Sequence, residues 1–275
     1  MKKSLGILVL LLGLITALGT MIRPSGGELQ GTLRLVGSTS VQPLAEELAR
    51  AFMAKNPKVN ITVAGGGSGA GIKAAQTGAA EIGTCSRELK PEEEATGLVP
   101  TVIAKDGIAV IVNRANRVKD LSLAQLAAIY AGRIKNWKEV GGPNASIVLV
   151  GREAGSGTRG AFEEIVMQPA KLEVSPEMLQ QGSTGAVRQF VAVTKYAIGY
   201  ISLGQLDATV RALSIDGVAA TEENVLKGSY KIARPFLFVT NGPPRGLAKA
   251  FIDFVLSPAG QAIVAREFIP VGKTK

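Results

Sequence analysis

The chain has 275 residues, of which 46% are hydrophobic and 33 are glycine, and it carries a formal charge of +9. That length holds two ordinary domains or one large one, and the glycines point to turns and close backbone approaches. Histidine is absent and Cys85 is the only cysteine, which excludes a Ser-His-Asp hydrolase, an internal disulfide and most zinc sites. The charge suits a solvated basic surface or attraction of an anion or acidic membrane; no basic run carries interleaved aromatics, so nucleic acid is not an expected partner.

Met1, Lys2 and Lys3 precede an apolar run from Leu5 to Ala17, the layout of an export signal. Ala17-Leu18-Gly19 is a loose small-x-small cleavage pattern. The stretch 4–22 also matches the roughly 17–25 residues that a membrane-spanning helix needs, so cleaved signal and uncleaved anchor both stand. No cysteine follows the run, which excludes a bacterial lipoprotein anchor. Residues 1–28 are read as this segment plus a linker, with the remainder exported to the periplasm or the outer face of the cytoplasmic membrane.

From Gly31 onward short apolar strands alternate with amphipathic helices. Strands are expected at 32–36, 60–64, 81–84 and 107–113, and helices at 41–54, 71–77 and 91–95; Leu44, Leu48 and Phe52 mark one face of the first helix. The second half repeats the grammar, with helices at 122–130, 160–167, 186–193, 246–256 and 258–267 and strands at 147–150, 198–202, 210–214 and 234–239. This alternation predicts an α/β fold with mostly parallel sheet. The expected organisation is two Rossmann-like lobes, 29–108 with 236–275 and 109–235, joined by crossing strands at 107–113 and 234–239.

Three segments share one design, a strand followed by a Gly, Ser and Thr loop and then a helix start. They are Gly37-Ser38-Thr39-Ser40, Gly65-Gly66-Gly67-Ser68-Gly69-Ala70-Gly71 and the loop from Gly151 to Thr158. A helix start leaves N–H groups unpaired and carries partial positive charge, so it favours an anion. Hydroxyls add donors, and Arg152 adds a permanently charged planar fork. Each loop taken singly also reads as an ordinary helix cap. None is a P-loop, because no Gly-Lys-Ser/Thr closes 65–71, and the dinucleotide fingerprint lacks its spacing and acidic partner.

Together these segments resemble the phosphate-specific substrate-binding proteins of ABC transporters, with the type II periplasmic-binding-protein fold. The resemblance runs from about Leu33 to Val271 and is most specific at Arg152, Gly155, Ser156, Gly157 and Thr158. It implies phosphate contacts from Thr39, Ser40, Ser68, Arg152, Ser156, Gly157 and Thr158, with no cofactor, metal or catalytic residue. It also implies a monomer that delivers inorganic phosphate to a membrane permease. One position departs: Ser86 stands where better-known members carry an aspartate that accepts the phosphate proton. Asp106, opening a crossing strand, is the candidate substitute acceptor, and Arg87 is either charge near the site or a surface residue. Sulfate, molybdate or tungstate therefore remain alternative ligands, and a phosphate-ester hydrolase is an alternative that lacks a visible nucleophile–base pair. Lys73 reads as solvated, Tyr130 and Trp137 as packing residues, and Cys85 as a small buried hydrophobe.

Overall fold

The computed structural model describes residues 28–272; of the export segment and linker expected over residues 1–28, residues 1–27 lie outside them. The first strand, β1 (Gly31–Gly37), buries Leu33 and Leu35 and exposes Thr32 and Arg34, the period-two pattern of a half-buried strand. Helix α1 (Gln42–Lys55) buries Leu44, Ala45, Leu48, Ala49 and Phe52, one stripe at helical spacing, and Pro43 sits in its first turn, where an amide is not needed. The chain continues through β2 (Val59–Ala64), α2 (Ser68–Thr77), β3 (Ile82–Cys85) and α3 (Pro91–Glu94) into the 16-residue strand β4 (Leu98–Asn113).

There follow β5 (Asp120–Leu121), α4 (Leu123–Tyr130), β6 (Val148–Arg152) and α5 (Gly157–Phe162), which runs on as a wider π turn over Glu163–Met167. Next come β7 (Leu179–Gln181), α6 (Thr184–Val193), β8 (Ala197–Ser202), β9 (Val210–Ala212), β10 (Ser214–Ile215) and α7 (Glu222–Leu226). The last elements are β11 (Ala233–Asn241), α8 (Gly246–Leu256), α9 (Pro258–Val264) and β12 (Ile269–Pro270).

A ten-stranded sheet has the order β2-β1-β3-β11-β4-β8-β6-β7, with β9 and β12 also paired to β4. Its two ends are parallel (β2-β1-β3 and β8-β6-β7), whereas β11 and β4 run antiparallel to their neighbours at the centre. Two large cores flank that centre. One gathers Leu35, Leu48, Ile82, Phe236, Phe238 and Phe251; the other gathers Ile108, Val110, Tyr130, Trp137, Phe162 and Tyr200. Strand β4 feeds both, through Ile103 and Ala104 in the first and Ile108 onward in the second.

Several boundaries differ from the sequence reading for physical reasons. Strand β4 begins nine residues before the expected 107, because Pro100, Lys105 and Asp106 break the apolar run while pairing with β11 carries the strand through them. Helix α2 starts at Ser68 and α5 at Gly157, inside loops whose glycines hide a helix start from periodicity. The strand expected at 210–214 divides into β9 and β10, and the last helix stops at Val264.

Candidate functional site

The loops after β1, β2 and β6 meet where the two halves of the molecule touch. Ser38 accepts from the amides of Ser40 and Val41 (3.2 and 3.4 Å), which holds the turn that leads into α1 and turns Ser40 inward. Ser40 is fully buried, and its hydroxyl lies 2.8 Å from that of Thr158 and 2.9 Å from that of Thr184. Ser68, the first residue of α2, accepts from the amide of Ser86 at 3.1 Å, and their two hydroxyls are 3.5 Å apart. Ser156 caps α5 by accepting from the amide of Arg159 at 3.3 Å. Gly157 then comes so close to Ser68 that a Cβ at 157 would lie 2.1 Å from the Ser68 hydroxyl. Gly67 adopts φ +88°, which only glycine takes easily, and the amide of Gly69 donates across the junction to the Gly155 carbonyl at 3.0 Å.

Arg152 ends β6 almost wholly buried. Glu153 grips its Nε and Nη2 at 2.9 and 2.8 Å, and the carbonyl of Gln181 accepts from Nε at 3.1 Å. That clamp leaves Nη1 directed at the Thr184 hydroxyl, 3.2 Å away. Beneath it Phe162 stacks on Tyr200 at 4.2 Å between ring centroids, and the Tyr200 oxygen accepts from the Arg152 amide at 3.3 Å. Burial pushes the Tyr200 phenol up, so it stays neutral.

The loop residues expected from the sequence therefore converge: Ser40, Ser68, Ser86, Arg152, Ser156, Gly157 and Thr158 are all buried at this junction. Thr39 stands at its edge, half-buried, and accepts from the amide of Thr184 at 3.3 Å. Two placements require correction. Asp106 does not face the junction as a free acceptor. It is ion-paired with Arg234, its cross-strand partner, at 2.9 Å, and its other oxygen accepts from Ser202 at 2.9 Å. Burial pushes the Asp106 carboxyl above its ordinary range, and Arg234 and Ser202 pull against that shift. Arg87 is neither free charge at the site nor a surface residue: Glu93 holds it bidentately at 2.8 Å, and its stem packs against Gly160.

Sequence reasoning missed a fourth helix start. Ser183 caps α6, and Thr184 is buried among Ser40, Thr39 and Arg152. The signal was available, since Gly182-Ser183-Thr184-Gly185 repeats the design of the other loops. Arg234 was also missed; its guanidinium donates to the carbonyl and the hydroxyl of Ser86 at 3.2 and 3.3 Å. Its position in a strand with Phe236 and Phe238 gave no hint of this. Lys73 is exposed, whereas Cys85, Tyr130 and Trp137 are buried in the cores.

With this geometry in place, the relatives are informative. A family model described as a PBP superfamily domain matches residues 24–259. The phosphate-binding protein PstS of Bacillus subtilis (strain 168) is 38% identical over 250 residues, covering 89% of this chain and 82% of that one. The chain belongs to the phosphate ABC transporter substrate-binding protein family. A Clostridium perfringens crystal structure described as such a protein with bound phosphate is 47% identical, covers 88% of this chain and all (100%) of its own, and superposes with a TM-score of 0.84. An ABC-type phosphate transport receptor from Vibrio cholerae is 33% identical over 87% of this chain and 100% of its own, with a TM-score of 0.73. The fold is that of type II periplasmic-binding proteins, with two lobes joined by crossing strands.

Proposed function

We propose that this chain is an exported, monomeric receptor that captures inorganic phosphate between lobes 29–108 with 236–275 and 109–235, and hands it to the membrane permease of an ABC importer. The observation that carries this reading is the convergence of the helix starts at Ser40, Ser68, Gly157 and Thr184 on the Nη1 side of Arg152. The hydroxyls that bond one another there are the donors that a tetrahedral oxyanion would take in exchange. Thr39, Ser40, Ser68 and Ser86 reach it from one lobe, and Arg152, Ser156, Gly157 and Thr158 from the other.

Magnitudes are adequate. Micromolar binding needs about 8 kcal/mol. A helix start contributes roughly 0.3–1 kcal/mol, up to about 2 when partly buried, and a hydrogen bond to a charged group about 1.5–3. Several such terms are therefore required, and contacts from both lobes supply them only on closure about β4 and β11. Asp106 serves this reading from behind, by holding Arg234 against Ser86.

Competition calorimetry with phosphate, arsenate, sulfate and molybdate tests the proposal. Tight phosphate binding is expected, and absence of any oxyanion binding would refute it. A second reading, phosphate-ester hydrolysis, predicts turnover in a colorimetric phosphatase assay with divalent metals. Among the described residues no cluster of carboxylate, cysteine or histidine ligands favours it.

A further inference from the structure

Given the receptor reading just proposed, on which this inference rests, we infer that Gln205 is a positioning residue for the ligand loop of the opposite lobe. Its side-chain amide takes the backbone carbonyls of Thr39 and Ser40 across the closed junction, and so slows the release of phosphate.

The need for such a donor arises in the sequence. In the turn that leads into α1, the Ser38 carbonyl accepts from the Gln42 amide at 3.0 Å and the Val41 carbonyl from the Ala45 amide at 2.9 Å, each four residues on. By the same spacing the Thr39 carbonyl would take the amide of residue 43, but Pro43 has no N–H. A proline suited to a helix start thus leaves an acceptor over, in a loop where Ser40 is fully buried and Thr39 half-buried. Gln205 Nε2 lies 3.2 Å from the Thr39 carbonyl oxygen and 3.1 Å from that of Ser40. A carboxamide nitrogen carries two protons, one for each oxygen, and two carbonyls facing the side chain require that its nitrogen, not its oxygen, point at them.

Gln205 is held by the second lobe. It closes the short helical turn Leu203–Gln205 that follows β8, and Arg188 on α6 donates to the Gln205 carbonyl at 2.8 Å and pairs with Asp207 at 3.3 Å. Arg188 stands one turn along α6 from Thr184, the residue that meets Ser40 and Arg152. One helix therefore carries both a hydroxyl of the anion site and the support for Gln205. On the receiving side, each peptide group is planar, with its carbonyl and N–H pointing opposite ways. Fixing the Thr39 and Ser40 carbonyls thus fixes the amides of Ser40 and Val41, which point to Ser38 Oγ, itself 2.9 Å from Ser86 Oγ. Those amides lead into α1, and an anion draws on such donors. With the lobes apart, water takes the two carbonyls instead, so Gln205 favours the closed form by the modest net of a hydrogen bond or two.

The test is stopped-flow kinetics with inorganic phosphate on the full chain, beside thermal unfolding of the ligand-free protein. Gln205→Ala should raise the dissociation rate about tenfold, the scale of one or two net hydrogen bonds, and leave the association rate within about twofold. The ligand-free melting temperature should not change. Gln205→Glu keeps the shape but sets acceptor oxygens against two carbonyls, and should release phosphate faster than Gln205→Ala does. Pro43→Ala returns an amide to residue 43. In that background Gln205→Ala should cost severalfold less, because the Thr39 carbonyl then has a partner in its own helix. A purely structural role predicts a lower ligand-free melting temperature with dissociation unchanged, and that result overturns the assignment. So does an equal cost of Gln205→Ala in both backgrounds, or a Gln205→Glu variant that holds phosphate as wild type does; the receptor reading survives each of these. If wild type binds no phosphate, the receptor reading fails and this one falls with it.

Discussion

Gly157→Ala is the sharpest perturbation of lobe closure. Position 157 opens α5, where alanine is locally a better helix former than glycine by about 1 kcal/mol, so its own segment tolerates the change. The added methyl would lie 2.1 Å from Ser68 Oγ, 2.7 Å from Ser86 Oγ and 2.9 Å from Ser68 Cβ. Non-bonded atoms settle at about 3.5–4.0 Å, so the lobes must part by about 1 Å or more at this point. Bonds that span the junction nearby stretch with it, including Ser40 to Thr158 at 2.8 Å and Gly69 to Gly155 at 3.0 Å. At about 1 kcal/mol net for each such bond, and more for those made to the charged ligand, closure loses about 2–4 kcal/mol, or roughly 30- to 1,000-fold in phosphate affinity. Calorimetry measures that loss, and small-angle scattering with phosphate present should show a larger radius of gyration than wild type. Thermal unfolding of the ligand-free protein should change little, because neither core includes residue 157. Wild-type affinity in a folded Gly157→Ala variant would refute this account of the junction.

Arg152→Ala should weaken phosphate binding at least tenfold by calorimetry, since it removes a charged donor and releases Glu153 near the ligand. Phe162→Ala removes the ring stacked on Tyr200 and should cost about 3–5 kcal/mol of stability, read by denaturant unfolding. Burial raises the Glu93 carboxyl, but the bonds from Arg87 and the Lys90 amide outweigh it, and the folded protein holds the carboxyl below its ordinary value. Its contribution is therefore present above the unfolded value of about 4.3 and lost as pH falls through the lower folded one. Glu93→Gln should lower stability near neutrality and flatten the acid limb of a melting-temperature profile against pH.

Periodicity made most of the elements legible. Leu44, Leu48 and Phe52 announce α1, and the β-branched run from Ile108 to Val112 announces the inner half of β4. Ser40, Ser68, Arg152 and Thr158 were legible as residues of the proposed site because the chemistry of an anion site is local, needing a strand end, a glycine and a hydroxyl at a helix start. The outer half of β4 was not, because Pro100 and Lys105 are tolerated there only through pairing with β11. Thr184 lay in a loop of the same composition, yet its membership depends on α6 being carried up to face Ser40 from the other lobe.

By itself, then, the sequence determined the inventory: which loops can bind an anion, which elements alternate, and that histidine and cysteine-cluster chemistry is absent. Only the tertiary structure decided the direction of each polar group. Asp106 and Arg234 are 128 residues apart in the chain, and sheet register makes them an ion pair. That pair commits to Arg234 the carboxylate that the sequence reading expected to accept a proton. Local sequence cannot encode such an outcome, because which lone pairs are filled depends on neighbours that only the fold brings together.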